Sequence, residues 1–268
     1  MTDTETFQLS LAAAETYETK FVPALFGEWA PVVVEAAGVD RGYDVLDVAC
    51  GTGVVAREVA ARVGPTGRVV GVDINEAMLT VARRSRPDIE WRRADVVALP
   101  FADGSFDAVV CQAALMFFPD RVAAVREMRR VLKDDGKLVI QVWAGLDAQP
   151  AYRRVVEIAA RHAGPDAVDL LSSYWVMGDL DGTRNLIDDA GLALTEATTH
   201  VGTARFDSID ELVKIEVEST PLIDRIDDAT YQAIIADARE ALREFAAADV
   251  GVAAPIVGHI FLATRKPA

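Results

Sequence analysis

The 268-residue chain predicts an α/β fold built on a doubly wound, mostly parallel sheet. Three observations carry this expectation. From Asp44 onward, short β-branched runs alternate with stretches of helical periodicity, the pattern of a sheet with helices on both faces. The apolar run Val45 to Val48 passes into Gly51-Thr52-Gly53 and then into a helix-compatible stretch. That is a strand handing over to a glycine loop at a helix start, where the backbone can approach a ligand closely. A last apolar run, Ile256 to Thr264, closes the chain and in such a fold runs antiparallel to the others.

Taken in order, Leu9 to Ala37 is helical, with Tyr17, Phe21, Phe26 and Trp29 at mixed steps that suit packing against the domain. Strand 44–49 is followed by helix 54–63, strand 67–72, helix 75–85 with Asn75 as its cap, and strands 89–92 and 106–112. Helix 119–132 and strand 136–143 come next, with Asp135-Gly136 marking a turn. The block from Ala144 to Asp181 shows a helix from Ala151 to His162 and an aromatic pair, Tyr174-Trp175, but no strand pattern. Helix 183–190 stops at Gly191, and strand 192–203 follows. Ser208-Ile209-Asp210-Glu211 is a capping box, and after Pro221 a helix aligns Tyr231, Ile234, Ala238, Leu242 and Phe245 on one face. The predicted organisation is an N-terminal helical lid (1–40), a core (41–143 and 183–268), and a helical cap over the substrate pocket (144–182 and 207–250).

The glycine loop fits two ligand classes. Read as Gly51-x-Gly53-x-x-Ala56, with Asp73 ending the next strand, it meets much of the dinucleotide fingerprint. Asp47 decides between them, because a carboxylate beside the loop repels a pyrophosphate at the helix N-terminus. S-adenosyl-L-methionine carries no phosphate, and its sulfonium and ammonium are cationic partners for that acid. Asp73 is placed to accept both ribose hydroxyls and Asp95 the adenine amino group, with Ile74, Met78 and Val96 as apolar walls for the ring.

The Asp47-x-x-x-Gly51-x-Gly53 loop, Asp73, the Asp95-to-Phe101 turn containing Leu-Pro-Phe, and Leu132-Lys133-Asp134-Asp135-Gly136 stand in order between Gly42 and Trp143. As a set they resemble the class I S-adenosylmethionine-dependent methyltransferases, within them the ubiquinone/menaquinone-biosynthesis-like small-molecule branch. The resemblance implies a Rossmann-like, doubly wound, seven-stranded, mostly parallel sheet with an antiparallel last strand and a helical cap. It implies methyl transfer by in-line displacement to an O-, N- or C-nucleophile of a small-molecule acceptor. Asp47, Gly51 and Gly53, with Ala49 and Thr52 in the same loop, would hold the methionine end, Asp73 the ribose, and Asp95 and Val96 the adenine. Cys111 and Gln112 end the fourth strand at the ligand edge, and Tyr17 would close over the cofactor. Cys50 departs from the glycine many members carry there.

Composition bounds the alternatives. There are 42 acids against 27 bases, a formal net charge of −15, and 12 acids against 4 bases between Phe206 and Val250, so a polyanion is repelled and no nucleic-acid partner is expected. No apolar run approaches the roughly eighteen residues of a membrane span, and the start MTDTETFQ is acidic where a signal peptide is basic, so a cytoplasmic location is expected. Cys50 and Cys111 are expected as buried filler rather than a disulfide. His162, His200 and His259 are the chain's histidines, and His259 is the candidate catalytic base. Phe117, Phe118, Tyr174 and Trp175 are candidate pocket walls, and Glu216 and Glu218 face either the pocket or solvent. No metal site is indicated, since no His, Cys and carboxylate cluster has ligand spacing. The competing expectations are an NAD-dependent oxidoreductase, which would lack a Tyr-x-x-x-Lys pair, and a non-catalytic metabolite-binding protein. A homodimer is compatible with all three.

Overall fold

The N-terminal segment is one helical stretch by sequence but three in space. The computed structural model of the chain, which describes residues 9–218, 220–247 and 251–266, has α1 at Leu11–Thr16, a π-helical segment at Tyr17–Phe26 that contains Pro23, and α2 at Trp29–Ala36. Proline lacks the N–H that an α-helix would use, and the wider turn accommodates that loss. The Gly27 N–H then donates to Val22 O at 2.7 Å, a five-residue step.

β1 is Asp44–Val48, followed by α3 (Val54–Val63), β2 (Arg68–Asp73), α4 (Glu76–Ser85), β3 (Glu90–Arg93) and β4 (Phe106–Gln112). α5 is Arg121–Val131 and β5 Leu132–Trp143. β5 corrects two expectations. Helix α5 stops at Val131, and Leu132 to Asp135 belong to the strand rather than to a turn, with a register shift against β4 between Phe106 and Ala108 absorbing the extra residues. α6 (Pro150–Ala163), α7 (Asp166–Leu171), α8 (Leu180–Asp189), β6 (Leu192–Phe206), α9 (Ile209–Glu218) and α10 (Asp228–Ala241) follow. β7 (Ala246–Ala247) and β8 (Gly251–Arg265) complete the described residues. β6 and β8 each extend several residues beyond their predicted ends, because alternating burial continues along both.

Among the described residues the sheet runs β3-β2-β1-β4-β5-β8-β6, the expected seven strands, with the two-residue β7 paired on β8 as an eighth. β1 to β5 are mutually parallel. Ala144 N–H donates to Val257 O, while at the other end of β5 the Arg265 guanidinium reaches Leu132 O, so β8 runs antiparallel to β5. Helices start where capping side chains dictate: Asn75 Oδ1 accepts from Ala77 N at 2.9 Å, Asp120 Oδ1 from Ala123 N at 2.8 Å and Asp227 Oδ1 from Thr230 N at 2.8 Å. In the capping box, Ser208 Oγ accepts from Glu211 N, and Glu211 reaches back to Asp207 N.

The chain divides into two compact units. The first runs through Val142 and includes Leu180–Thr199 and the chain from His259 onward. Its core is Val45, Leu46, Val48, Val70, Val72, Val109, Val110, Leu138 and Ile140, the strand residues of a sheet covered on both faces. The second unit comprises Trp143–Asp179 and His200–Gly258. There His162 Nε2 meets Asp237 Oδ2 at 2.9 Å, linking α6 to α10, and Arg239 Nε donates to Asp210 at 2.6 Å, linking α10 to α9. Of the five residues expected on one face of α10, Ile234, Ala238 and Leu242 are buried. Phe245 lies beyond the helix in a 3-10 turn. Among the described residues no helix is long and apolar enough to cross a membrane.

Candidate functional site

The site follows from how β1 hands over to α3. Gly53 caps α3 with φ +89° and has no side chain to take the first helical N–H groups. Asp47, one residue before the strand ends, supplies the missing acceptor: its Oδ2 takes the Ala56 N–H at 2.9 Å. Asp47 is 1% exposed and its Oδ1 has no hydrogen-bond partner among the described residues. Burial, countered in part by the Ala56 hydrogen bond and reinforced by the nearby Asp73 charge, pushes its carboxyl up to about 8.

The loop between them is tight. Cys50 N–H donates to Val72 O at 3.0 Å and Cys50 O accepts from Gly53 N at 2.8 Å. Ala49 stands at φ +54°, a left-handed conformation that a non-glycine residue adopts at a cost. A Cβ on Gly53 would lie 2.3 Å from Trp91 Cη2, and one on Gly71 would lie 2.4 Å from the same ring. The Trp91 indole therefore packs where those two glycines leave room. Gly53→Ala is expected to lower unfolding free energy by about 2–4 kcal/mol through overpacking and left-handed strain together. Urea denaturation checks this.

Asp73 ends β2 and organises both neighbouring turns. Its Oδ2 accepts from Gly51 N and its Oδ1 from Asn75 N, both at 2.8 Å. Each oxygen keeps a second lone pair, which fits two adjacent hydroxyls of a ribose. Burial raises its carboxyl above the usual range despite those two hydrogen bonds.

Asp95 is exposed beside this edge, its Oδ1 accepting from Val97 N at 3.1 Å. Ala94 N–H donates to Asp73 O at 3.0 Å, which brings the Asp95-Val96 turn next to Asp73. The following Leu99-Pro100-Phe101 turn is anchored to α5, since Leu99 N–H donates to Glu127 Oε1 at 2.8 Å and Arg130 donates to the carbonyls of Leu99 and Phe101.

Tyr17 lies over the glycine loop: a Cβ on Gly51 would meet Tyr17 Cε1 at 3.7 Å. Its ring stacks on Phe21 at 5.7 Å and on Phe26 at 5.2 Å between centroids. Met78 is buried in a cluster with Ala14 and Val81 against which Tyr17 packs. Thr52 is buried with its hydroxyl unpartnered, and Ile74 is half-buried. Cys50 and Cys111 are free and buried, and burial with the Asp47 charge pushes both thiols up, which makes them poor nucleophiles. Gln112 Nε2 donates to Phe26 O at 3.2 Å.

His259 is buried on β8, with Nδ1 at 2.9 Å from Thr199 Oγ1 on β6. In the second unit, Trp175 packs against Tyr152 at 4.9 Å and Trp143 at 6.4 Å. Phe117 is 42% exposed. Glu218 accepts from Tyr231 Oη at 3.1 Å. Burial of the Glu216 carboxyl pushes it up to about 8. Among the described residues no His, Cys and carboxylate group is arranged to hold a metal ion. Sequence reasoning missed Gln141. It lies in an otherwise apolar strand, Leu138 to Trp143, where a lone amide was the signal that could have found it.

Unit 1 thus defines a class: a Rossmann-like α/β protein whose glycine loop lies against one buried and one half-buried carboxyl, Asp47 and Asp73, instead of leaving a bare helix N-terminus. A family model described as a methyltransferase domain matches residues 46–140. The ubiquinone/menaquinone biosynthesis C-methyltransferase of Enterobacter sp. (strain 638) is 34% identical over 185 residues, covering 63% of this chain and 73% of that protein. The chain belongs to the class I S-adenosylmethionine-dependent methyltransferases. A protein of the same name from Hahella chejuensis is 41% identical over 183 residues, 62% of this chain and 73% of that one. Phosphoethanolamine N-methyltransferase 2 of Haemonchus contortus, solved with S-adenosylhomocysteine, shares the fold at TM-score 0.59 and 18% identity, covering 96% of this chain and 58% of that one.

Proposed function

We propose that this chain transfers a methyl group from S-adenosylmethionine to a ring carbon of a small hydroxylated aromatic acceptor of the quinol type. The observation that carries the proposal is the 34% identity over 185 residues to a C-methyltransferase of ubiquinone and menaquinone biosynthesis. When bound, the cofactor supplies an activated methyl group on a sulfonium. The protein's task is then to hold, align and exclude water.

The residues present fit that cofactor. The unpartnered Asp47 Oδ1 and Thr52 hydroxyl face a cationic, hydrogen-bonding methionine end, together with Ala49, Gly51 and Gly53. Asp73 takes the ribose, and Asp95, Val96, Ile74 and Met78 take the adenine. Tyr17 covers the loop, Cys111 and Gln112 bound the methionine side, and His259, fixed by Thr199, is the candidate proton acceptor. A pyrophosphate ligand is opposed by the Asp47 carboxyl already seated on the N-terminus of α3, which disfavours the NAD-dependent oxidoreductase.

The test is incubation with S-adenosylmethionine and, separately, 1,4-dihydroxynaphthalene, 1-naphthol and 1-naphthylamine. The expected product is the dihydroxynaphthalene, heavier by one methylene, with the new methyl on a ring carbon by NMR. A methyl found only on oxygen or nitrogen overturns the C-methylation assignment. Saturable cofactor binding with no product across a broad acceptor panel points to the non-catalytic binding protein.

A further inference from the structure

The carboxyl edge of the sheet aligns one residue from each of four strands, β3, β2, β4 and β5, with Ala49, the residue that follows β1. Asp73 is the Cα partner of Arg93, Val48 that of Val72, Asp47 that of Val110, and Gln112 that of Gln141. Advancing one or two residues along β1 and β4 gives a single row: Arg93, Asp73, Ala49, Gln112, Gln141. Partnered residues of neighbouring parallel strands present their side chains on the same face. Gln112 and Gln141 therefore stand side by side, one and two strands beyond the loop assigned to the methionine end. At the usual strand spacing Gln141 is about 10 Å across the sheet from Ala49.

Gln141 is 0% exposed, and neither its Nε2 nor its Oε1 has a hydrogen-bond partner among the described residues. Gln112 is buried too, with its Nε2 used by Phe26 O and its Oε1 unpartnered. Gln149, in the second unit, shows what a buried structural glutamine looks like. It is also 0% exposed, yet its Nε2 donates to Ala144 O and Val257 O and its Oε1 accepts from Val257 N. An amide enclosed without partners costs free energy that a leucine of similar size would not, so its retention asks for a ligand that completes it. The backbone around it is set as if to present it. Ala113, at φ +52°, donates its N–H to Gln141 O at 2.9 Å, so the turn after β4 is clamped to Gln141.

We propose that Gln141, with Gln112 Oε1 beside it, is the recognition pair for an uncharged oxygen-bearing methyl acceptor. The Gln141 Nε2–H donates to a hydroxyl or carbonyl oxygen, and the two Oε1 atoms accept from a hydroxyl. The chemistry on this edge selects that class. Asp47 and Asp73 repel an anionic acceptor, and an uncharged amide has nothing to offset the charge of a phosphate or carboxylate. An aromatic amine, neutral at pH 7, has its nitrogen lone pair delocalised into the ring and is a poor acceptor for the Nε2–H. The π-helical segment Tyr17–Phe26 meets this edge through the bond from Gln112 Nε2 to Phe26 O, which leaves Gln112 Oε1 for the acceptor. This assignment rests on the proposed function, which it narrows to a residue and an acceptor chemistry.

The experiment is calorimetric titration of the S-adenosylhomocysteine complex with 1,4-dihydroxynaphthalene, 1-naphthylamine and 1-naphthyl phosphate. Wild type, Gln141→Leu and Gln141→Glu are compared, with thermal unfolding of each. Expected are binding of the dihydroxynaphthalene to wild type, a loss of about 10-fold or more in Gln141→Leu, and partial retention in Gln141→Glu. Binding of S-adenosylhomocysteine itself should stay within about 2-fold, and the unfolding temperature of Gln141→Leu should equal or exceed wild type, because an unsatisfied amide has been removed. Equal dihydroxynaphthalene affinity in wild type and Gln141→Leu, stronger binding of the phosphate, or no binding of any probe to wild type overturns the assignment. Gln141-dependent binding with no methylated product leaves the recognition pair standing and removes the ring-methylation proposal instead.

Discussion

Asp73→Ala should weaken S-adenosylhomocysteine binding by about 2–4 kcal/mol, roughly 30- to 900-fold in Kd, because two charge-assisted hydrogen bonds to the ribose are lost together. The geometry adds a second contribution. Asp73 Oδ2 holds Gly51 N and Oδ1 holds Asn75 N, so truncation also releases the glycine loop and the start of α4 from one another. Asp73→Asn separates the two effects. It keeps one acceptor oxygen for a backbone N–H, loses the charge, and should fall between wild type and Asp73→Ala in affinity. Calorimetry on all three proteins, with circular dichroism to show that each is folded, makes the measurement. Unchanged affinity in Asp73→Ala would mean that the ribose lies elsewhere.

Binding should also depend on pH through Asp47. Burial holds its carboxyl up at about 8, so below that pH the ligand-free protein carries it protonated. A cationic ammonium or sulfonium beside the unpartnered Oδ1 favours the ionised form, so binding expels that proton. The sign follows: S-adenosylhomocysteine affinity rises with pH up to about 8 and levels off above it, with a limiting slope of about tenfold per unit for one proton. Titration at pH 7 in two buffers of different ionisation enthalpy should show close to one proton released. Asp47→Asn should bind more weakly and lose the pH dependence. If the ligand were a pyrophosphate, the same substitution would instead strengthen binding above about pH 8, where the wild-type carboxyl is ionised, and leave it unchanged below. The stability linkage has the complementary sign. A carboxyl whose folded value lies above its unfolded value favours folding at low pH, and that contribution is lost as pH rises through the interval up to about 8. The thermal stabilisation by S-adenosylhomocysteine should therefore be larger at pH 8 than at pH 6.

The parallel half of the sheet was legible because its signals are local. β1, β2 and β4 carry short valine-rich runs, and Asn75, Asp120 and Asp227 each mark a helix start by a hydrogen bond to a residue two or three positions ahead. The order of Asp47, the glycines, Asp73 and Asp95 was enough to name the family. Misjudged were segments where a non-local partner overrides local pattern. Leu132 to Asp135 read as a helix end and a turn, but pairing with β4 draws them into the sheet. Leu9 to Ala37 read as helical throughout, but the backbone widens into π geometry around Pro23.

Sequence by itself determined the fold class and the strand-to-loop handover, and it named the residues of the candidate site, because these depend on periodicity and on side chains close together in the chain. Only the tertiary structure decided which atoms of those residues are spent and which are left over. Asp47 gives one oxygen to the helix that follows it and keeps the other. Gln149 is fully used, whereas Gln141 is not used at all. A polar group's partners are set by what packs around it in three dimensions, and residues alike in sequence acquire different chemistry by that route alone.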